Sequence, residues 1–129
     1  MTLAQHLAAI DLLRARAFPD QAYHLAELAP AGARPEGPGE DRAEAEREAL
    51  ALLLATRWGP PHLVGLSGLL LRSGAGEEIP RPWDLLAGAV PDIQLWRTEE
   101  PAAWVALGVT GPGDEGRRLV VCVTEVDPP

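Results

Sequence analysis

The sequence predicts an α+β fold in which two N-terminal helices pack on an antiparallel meander of three to four strands. Two features of the hydropathy pattern support this prediction. Apolar residues recur at helical spacing in the N-terminal part of the chain, and from residue 62 the period changes toward two. The chain has 129 residues, of which 47% are apolar and 23% charged, as in one ordinary globular domain. We therefore expect a single domain over residues 1–129.

Both predicted helices begin at patterns that cap helix N-termini. Thr2 opens a capping-box pattern that predicts a helix over 3–17, and Asp41 opens a second one that predicts a helix over 42–57. The Glu44 and Glu48 carboxylates beside Arg47 are typical of a solvated helix surface. The apolar stripe of the second helix is predicted at Ala45, Ala49, Leu52 and Leu53.

Two further elements are predicted between these helices. Asp20 is placed to cap a short helix through Tyr23, Leu25 and Leu28. Residues 30–40 hold three prolines and three glycines with almost no large apolar side chain. Such a segment cannot repay the entropy of fixing it, so we expect a flexible Pro/Gly-rich loop.

Strands are predicted where apolar and polar residues alternate after the second helix. The segments 93–97, 104–110 and 119–126 have this alternation, and a shorter strand is predicted over 62–66. The Leu69 to Leu71 run is ambiguous between helix and strand, while residues 82–86 predict one helical turn. The TEEPA and GPGDEG segments connect the last three strands as turns.

Charge and composition disfavour several classes of partner and location. The formal net charge is −8, which repels phosphate backbones and argues against nucleic-acid binding. The apolar stretches are too short to span a bilayer, and residues 3–13 lack the features of a signal peptide. Cys122 is the single cysteine, which suits a reducing compartment. We expect a cytoplasmic protein with no membrane association.

No catalytic, cofactor or metal site is predicted. The GPGDEG segment matches the dinucleotide fingerprint by letter, but a strand follows it where a helix is needed. Ser67 lies in an incomplete nucleophile elbow, because Leu69 stands where a glycine is required. Cys122 lies in an apolar run that indicates an inert buried thiol. The three histidines fall on different elements, and we therefore expect a protein that is not an enzyme.

A tryptophan pair on the predicted sheet is the candidate partner-binding site. A TEEPA turn centred on Glu100 places Trp96 directly opposite Trp104. Their face is too apolar for solvent, so either residues 66–90 cover it as a second layer or it binds a partner. The partner-binding hypothesis comprises Trp96, Trp104 and Gln94 with a polar rim at Glu99 and Glu100.

The segments RWGPP at 57–61, PW at 82–83, LWR at 95–97 and WVALGV at 104–109 carry one resemblance. Together with the acidic charge, they make the chain resemble small immunity or antitoxin-like proteins that neutralise actinobacterial toxins. The resemblance implies a protein-binding module that acts by occlusion, with a basic toxin as its partner. Two alternatives remain open: a small-molecule-binding or enzymatic domain with a pocket between helices and sheet, and a structural subunit of a larger assembly.

Overall fold

A computed structural model describes residues 3–16, 18, 22–28, 39–99, 102–110 and 118–129. The helices and strands follow one another as α1 (Leu3–Ala15), β1 (Tyr23–Leu28), α2 (Gly39–Trp58), β2 (His62–Gly65), α3 (Ser67–Gly74), α4 (Trp83–Ala89), β3 (Asp92–Thr98), β4 (Ala103–Val109) and β5 (Leu119–Thr124). The α+β class predicted from the sequence is confirmed. No helix among the described residues is long and apolar enough to cross a membrane.

The strands form one antiparallel sheet in the order β1-β5-β4-β3-β2. The predicted meander is present as β3, β4 and β5. At one edge of the sheet lies β2, the short strand that the sequence predicts near residue 62, and at the other edge lies β1, which the sequence does not predict as a strand. The predicted short helix through Tyr23, Leu25 and Leu28 is wrong, because these residues form β1 and pair with β5. Strand pairing with an apolar neighbour overrides the weak local helix pattern.

One face of the sheet packs against α1 and α2, as the sequence predicted for its two N-terminal helices. The predicted apolar stripe on α2 is wrong, because Leu52 is 67% exposed and Leu53 is 37% exposed. The helix instead buries the positions before and after them at helical spacing. The α2 side of this core consists of Ala43, Leu50, Ala51 and Leu54, which pack with Ile10 of α1 and with Leu107 and Val121 of the sheet.

The opposite face of the sheet is covered by α3 and α4, which lie between β2 and β3 in the chain. The two helices contribute Leu69, Trp83, Leu86 and Ala87 and the residue before α3 contributes Leu66, and these side chains pack against Leu95, Ala106, Val120 and Cys122. The described sheet therefore lies between two helical layers. Of the two alternatives for this face, the second buried layer formed by residues 66–90 is the one observed.

The pairing of β3 with β4 differs by one residue from the predicted register. Trp96 lies opposite Val105, and Trp104 lies opposite Arg97. Thr98 pairs with Ala103, so the connection over 99–102 has an even number of residues, whereas a turn centred on Glu100 requires an odd number. A one-residue shift moves every β3 side chain to the other face. The two tryptophans consequently lie on opposite faces of the sheet.

The β4–β5 pairing agrees with the predicted faces. Val105 lies opposite Val123 and Val109 opposite Leu119, and these side chains point toward α1 and α2 as expected. The error in register is thus confined to β3. Of the predicted loop 30–40, only Gly39 and Glu40 are described, and they begin α2. The remainder of that loop and the GPGDEG turn lie outside the described residues.

Candidate functional site

An open groove of about 770 Å³ runs between α2 and the β2 edge of the sheet. Helix α2 crosses the sheet over β3, β4 and β5, and β2 extends beyond it. Leu63 of β2 lies opposite Gln94 and therefore points to the α2 side, where it is 78% exposed. The groove is lined by Glu44, Ala45, Arg47, Glu48, Leu63, Val64, Gly65, Asp92, Ile93 and Gln94.

Arg47 links helix α2, which forms one wall of the groove, to strand β3 at its base. Its Nη2 atom donates to Asp92 Oδ1 at 2.7 Å, and its Nε atom donates to Gln94 Oε1 at 3.1 Å. The Arg47 side chain is only 12% exposed, so these bonds cost little additional side-chain entropy. Two hydrogen bonds with fixed geometry join α2 to β3 across the base of the groove.

The electrostatic character of the groove is acidic. Among its described lining residues, the carboxylates of Glu44, Glu48 and Asp92 face one guanidinium, that of Arg47. Glu44 Oε1 is 4.0 Å from Arg47 Nη1, and Glu48 is exposed on the next turn of α2. The excess of negative charge favours cationic groups on a partner.

A second, apolar cavity of about 240 Å³ lies on the other side of β2. Trp83 forms part of its wall, and the indole Nε1 of Trp83 donates to the Val126 carbonyl oxygen at 3.2 Å. The lining side chains are mostly apolar and include Leu66, Leu69, Trp83, Ile93, Leu95 and Pro128. Val64 and Gly65 line both this cavity and the groove, so the β2 edge separates an acidic recess from an apolar one.

Trp96 and Gln94, two of the predicted partner-binding residues, face α2. Trp96 is 1% exposed, and its indole Nε1 donates to the Gly59 carbonyl oxygen at 3.0 Å. Its ring makes an edge-on contact with Trp58, with the centroids 6.2 Å apart. A ring buried in this way belongs to the core and presents no surface to a partner. Gln94 lines the groove as the acceptor for Arg47.

The other predicted site residues lie elsewhere. Trp104 is partly buried against the α3/α4 core, and its Nε1 atom donates to Asp127 Oδ1 at 3.0 Å. The Arg97 guanidinium lies over the Trp104 ring, 5.1 Å from its centroid. Glu99 is exposed beyond the end of β3, and Glu100 lies outside the described residues. The structure therefore does not assemble the predicted set into one surface.

The sequence pattern of the groove residues on α2 predicts only an ordinary solvated helix surface. The spacing of Glu44, Arg47 and Glu48 places them on one side of the helix. What the sequence did not show is that Asp92 lies 45 residues away in the chain and meets Arg47. The pairing of β2 with β3, which exposes Leu63 beside them, is equally non-local.

Two buried titratable groups lie away from the groove. Burial raises the pKa of the Cys122 thiol to about 12, which leaves it protonated and unreactive at neutral pH. Burial lowers the pKa of His6, although the neighbouring Glu46 carboxylate opposes this effect. The His6 Nε2 atom is 3.6 Å from Glu46 Oε2. Within the described part of the chain, no group of His, Cys, Asp and Glu side chains is arranged to hold a metal ion.

Comparison of the chain with protein-family models, with curated proteins and with solved structures finds no significant match.

Proposed function

We propose that the protein is a non-catalytic binding module that captures a basic protein partner in the groove between α2 and β2. The observation that carries this proposal is the acidic groove itself, which is lined by three carboxylates and one guanidinium at an exposed sheet edge. A basic side chain that enters the groove meets the carboxylates of Glu44 and Glu48 on the α2 wall and that of Asp92 at the base. The groove replaces the tryptophan pair as the proposed location of the interface, because Trp96 is buried.

Electrostatic steering supports a role in rapid capture. The net charge of −8 attracts a basic protein over distances of about one Debye length, roughly 8 Å at physiological salt. Complementary charge raises association rates more than it raises final affinity. An inhibitor that must reach its target before damage occurs benefits from this property. The narrower form of the proposal is therefore an immunity protein that blocks a basic toxin by occlusion.

A small cationic molecule is the second candidate for the groove. Its volume of about 770 Å³ lies within the range of roughly 300–1,000 Å³ that is usual for small-molecule sites. Such sites are normally enclosed and mostly apolar, whereas this groove is open and has carboxylates on its walls. A protein surface fits that character better.

Charge reversal at a single position tests the proposed function. Glu48 is exposed in the groove, whereas Glu125 is exposed but does not line it. Glu48→Arg and Glu125→Arg change the net charge equally and serve as matched baits for capture from native-host extract with quantitative mass spectrometry. We expect a basic protein to be retained by the wild-type and Glu125→Arg baits and lost from the Glu48→Arg bait. Equal recovery on all three baits, or an acidic partner, would contradict the proposal.

A further inference from the structure

The outer edge of β2 carries backbone groups that point away from the sheet. The Leu66 N–H donates to the Pro91 carbonyl oxygen at 2.9 Å, and these residues continue the β2–β3 register. In an antiparallel pair, hydrogen-bonded positions alternate with positions that are not bonded to each other. Val64 is therefore bonded to β3, and the N–H and C=O groups of Leu63 and Gly65 point outward.

The same alternation determines which surface of the protein each side chain would meet if a further strand paired with the outer edge of β2. Leu63 and Gly65 face the α2 side of the sheet, where the acidic groove lies, because they pair with Gln94 and Asp92. Val64 points to the opposite side and packs with the α3/α4 core, beside the apolar cavity. Residues directly opposite each other in a sheet share a face. A strand paired with β2 would thus direct alternate side chains into two chemically different recesses.

Building on the proposed function, we infer that the partner binds as an extended segment that pairs with β2 and alternates basic with apolar side chains. The basic side chains lie opposite Leu63 and Gly65 and reach the carboxylates of Glu44 and Glu48. The apolar side chains lie between them and enter the cavity beside Trp83. In this recognition mode, main-chain hydrogen bonds supply affinity and the alternating pockets supply specificity.

The length of β2 limits the recognised segment. β2 spans four residues, Pro61 precedes it, and α3 begins two residues after it ends. A short edge strand is one way in which proteins prevent indiscriminate pairing. Few main-chain bonds are available, so the side-chain alternation decides which segments bind.

Synthetic peptides test the alternation directly. The probe is a capped peptide of alternating valine and lysine, compared by isothermal titration calorimetry with its isomer in which all valines precede all lysines. We expect the alternating peptide to bind about tenfold more tightly, because only it supplies both recesses at once. A capped peptide of alternating valine and glutamate should not bind.

Variants at Leu63 test the main-chain pairing. Leu63→Pro removes an outward N–H without removing a bond to β3, which is the position where an edge strand tolerates proline. Leu63→Ala is the matched control, because it removes the side chain and keeps the N–H. We expect Leu63→Pro to weaken binding of the alternating peptide by about tenfold, as loss of one main-chain hydrogen bond implies, and Leu63→Ala by less than about threefold. A peptide N-methylated at alternate positions repeats the test on wild-type protein if Leu63→Pro does not fold.

The outcomes separate this inference from the proposed function. Equal affinity for the alternating peptide and its isomer, with no effect of Leu63→Pro or N-methylation, would overturn strand pairing. The groove proposal would survive that result if Glu48→Arg still weakened both peptides. If no peptide binds, or Glu48→Arg changes nothing, both fall. Dimerisation that Leu63→Pro abolishes would identify a second copy of the chain as the occupant and would also overturn both.

Discussion

Replacing Trp96 tests the observed register of β3 most sharply. The side chain is 1% exposed, packs edge-on against Trp58 and donates to the Gly59 carbonyl oxygen. Truncating a buried tryptophan to alanine costs about 3–5 kcal/mol, and the carbonyl left without its donor adds about 1 kcal/mol. We therefore expect Trp96→Ala to lower the free energy of unfolding by about 4–6 kcal/mol. Trp96→Phe keeps most of the packing and should cost about 2 kcal/mol.

The matched comparison is Trp104→Ala. This ring is only partly buried and donates to an exposed carboxylate, that of Asp127, so we expect a smaller loss of about 1–2 kcal/mol. Guanidinium unfolding followed by circular dichroism measures both variants, with an unchanged slope as the sign that two-state behaviour is retained. If the two alanine variants lost equal stability, or Trp96→Phe lost nothing, the one-residue register shift and the burial of Trp96 would be refuted.

Three further changes probe the core. Gly108→Ala should lower the free energy of unfolding by about 1–3 kcal/mol, measured in a thermal or denaturant melt. The reason is that the new Cβ would lie 3.1 Å from the Asp92 carbonyl oxygen and 3.2 Å from Val90 Cγ2. A stability equal to wild type would contradict this close approach. Cys122 should react with iodoacetamide at pH 8 only after denaturant is added, as mass spectrometry would show, since burial raises its pKa to about 12; rapid labelling of native protein would oppose that. Burial lowers the pKa of His6 in the folded state, so the unfolded chain takes up the proton first and the free energy of unfolding falls as the pH drops below about 6.5. His6→Leu should flatten that part of the stability–pH profile. An unchanged slope would contradict this role of His6.

The class of the fold was predictable because hydropathy periods are local. The pattern through Ile10 predicts an amphipathic helix, and the alternation through Val121 predicts a strand, whatever their neighbours. The sequence does not predict the strand at Tyr23–Leu28, because its existence depends on pairing with β5. Its residue Leu25 pairs with Cys122, which lies 97 residues later in the chain. Local propensity carries no information about such a partner.

The errors at the candidate site have a common cause. A turn centred on Glu100 instead of between residues 100 and 101 reverses the faces of a whole strand, and this alone created the apparent tryptophan pair. On α2, the alternatives Leu52 and Leu54 differ by two positions in the chain, yet one is exposed and the other is fully buried. The groove combines Arg47 with Asp92, and only the tertiary fold brings them together.

Amide hydrogen exchange at the β2 edge tests the central claim most directly. The protein is labelled with and without a saturating concentration of the alternating valine–lysine peptide, and exchange is followed at single residues by NMR. Because the N–H groups of Leu63 and Gly65 point outward, they should exchange freely in the unbound protein and slow by about tenfold or more in the complex. Val64, which is bonded to β3, should change less. Protection confined to another surface, such as β1, with Leu63 and Gly65 unaffected, would contradict the assignment of the binding site to this edge.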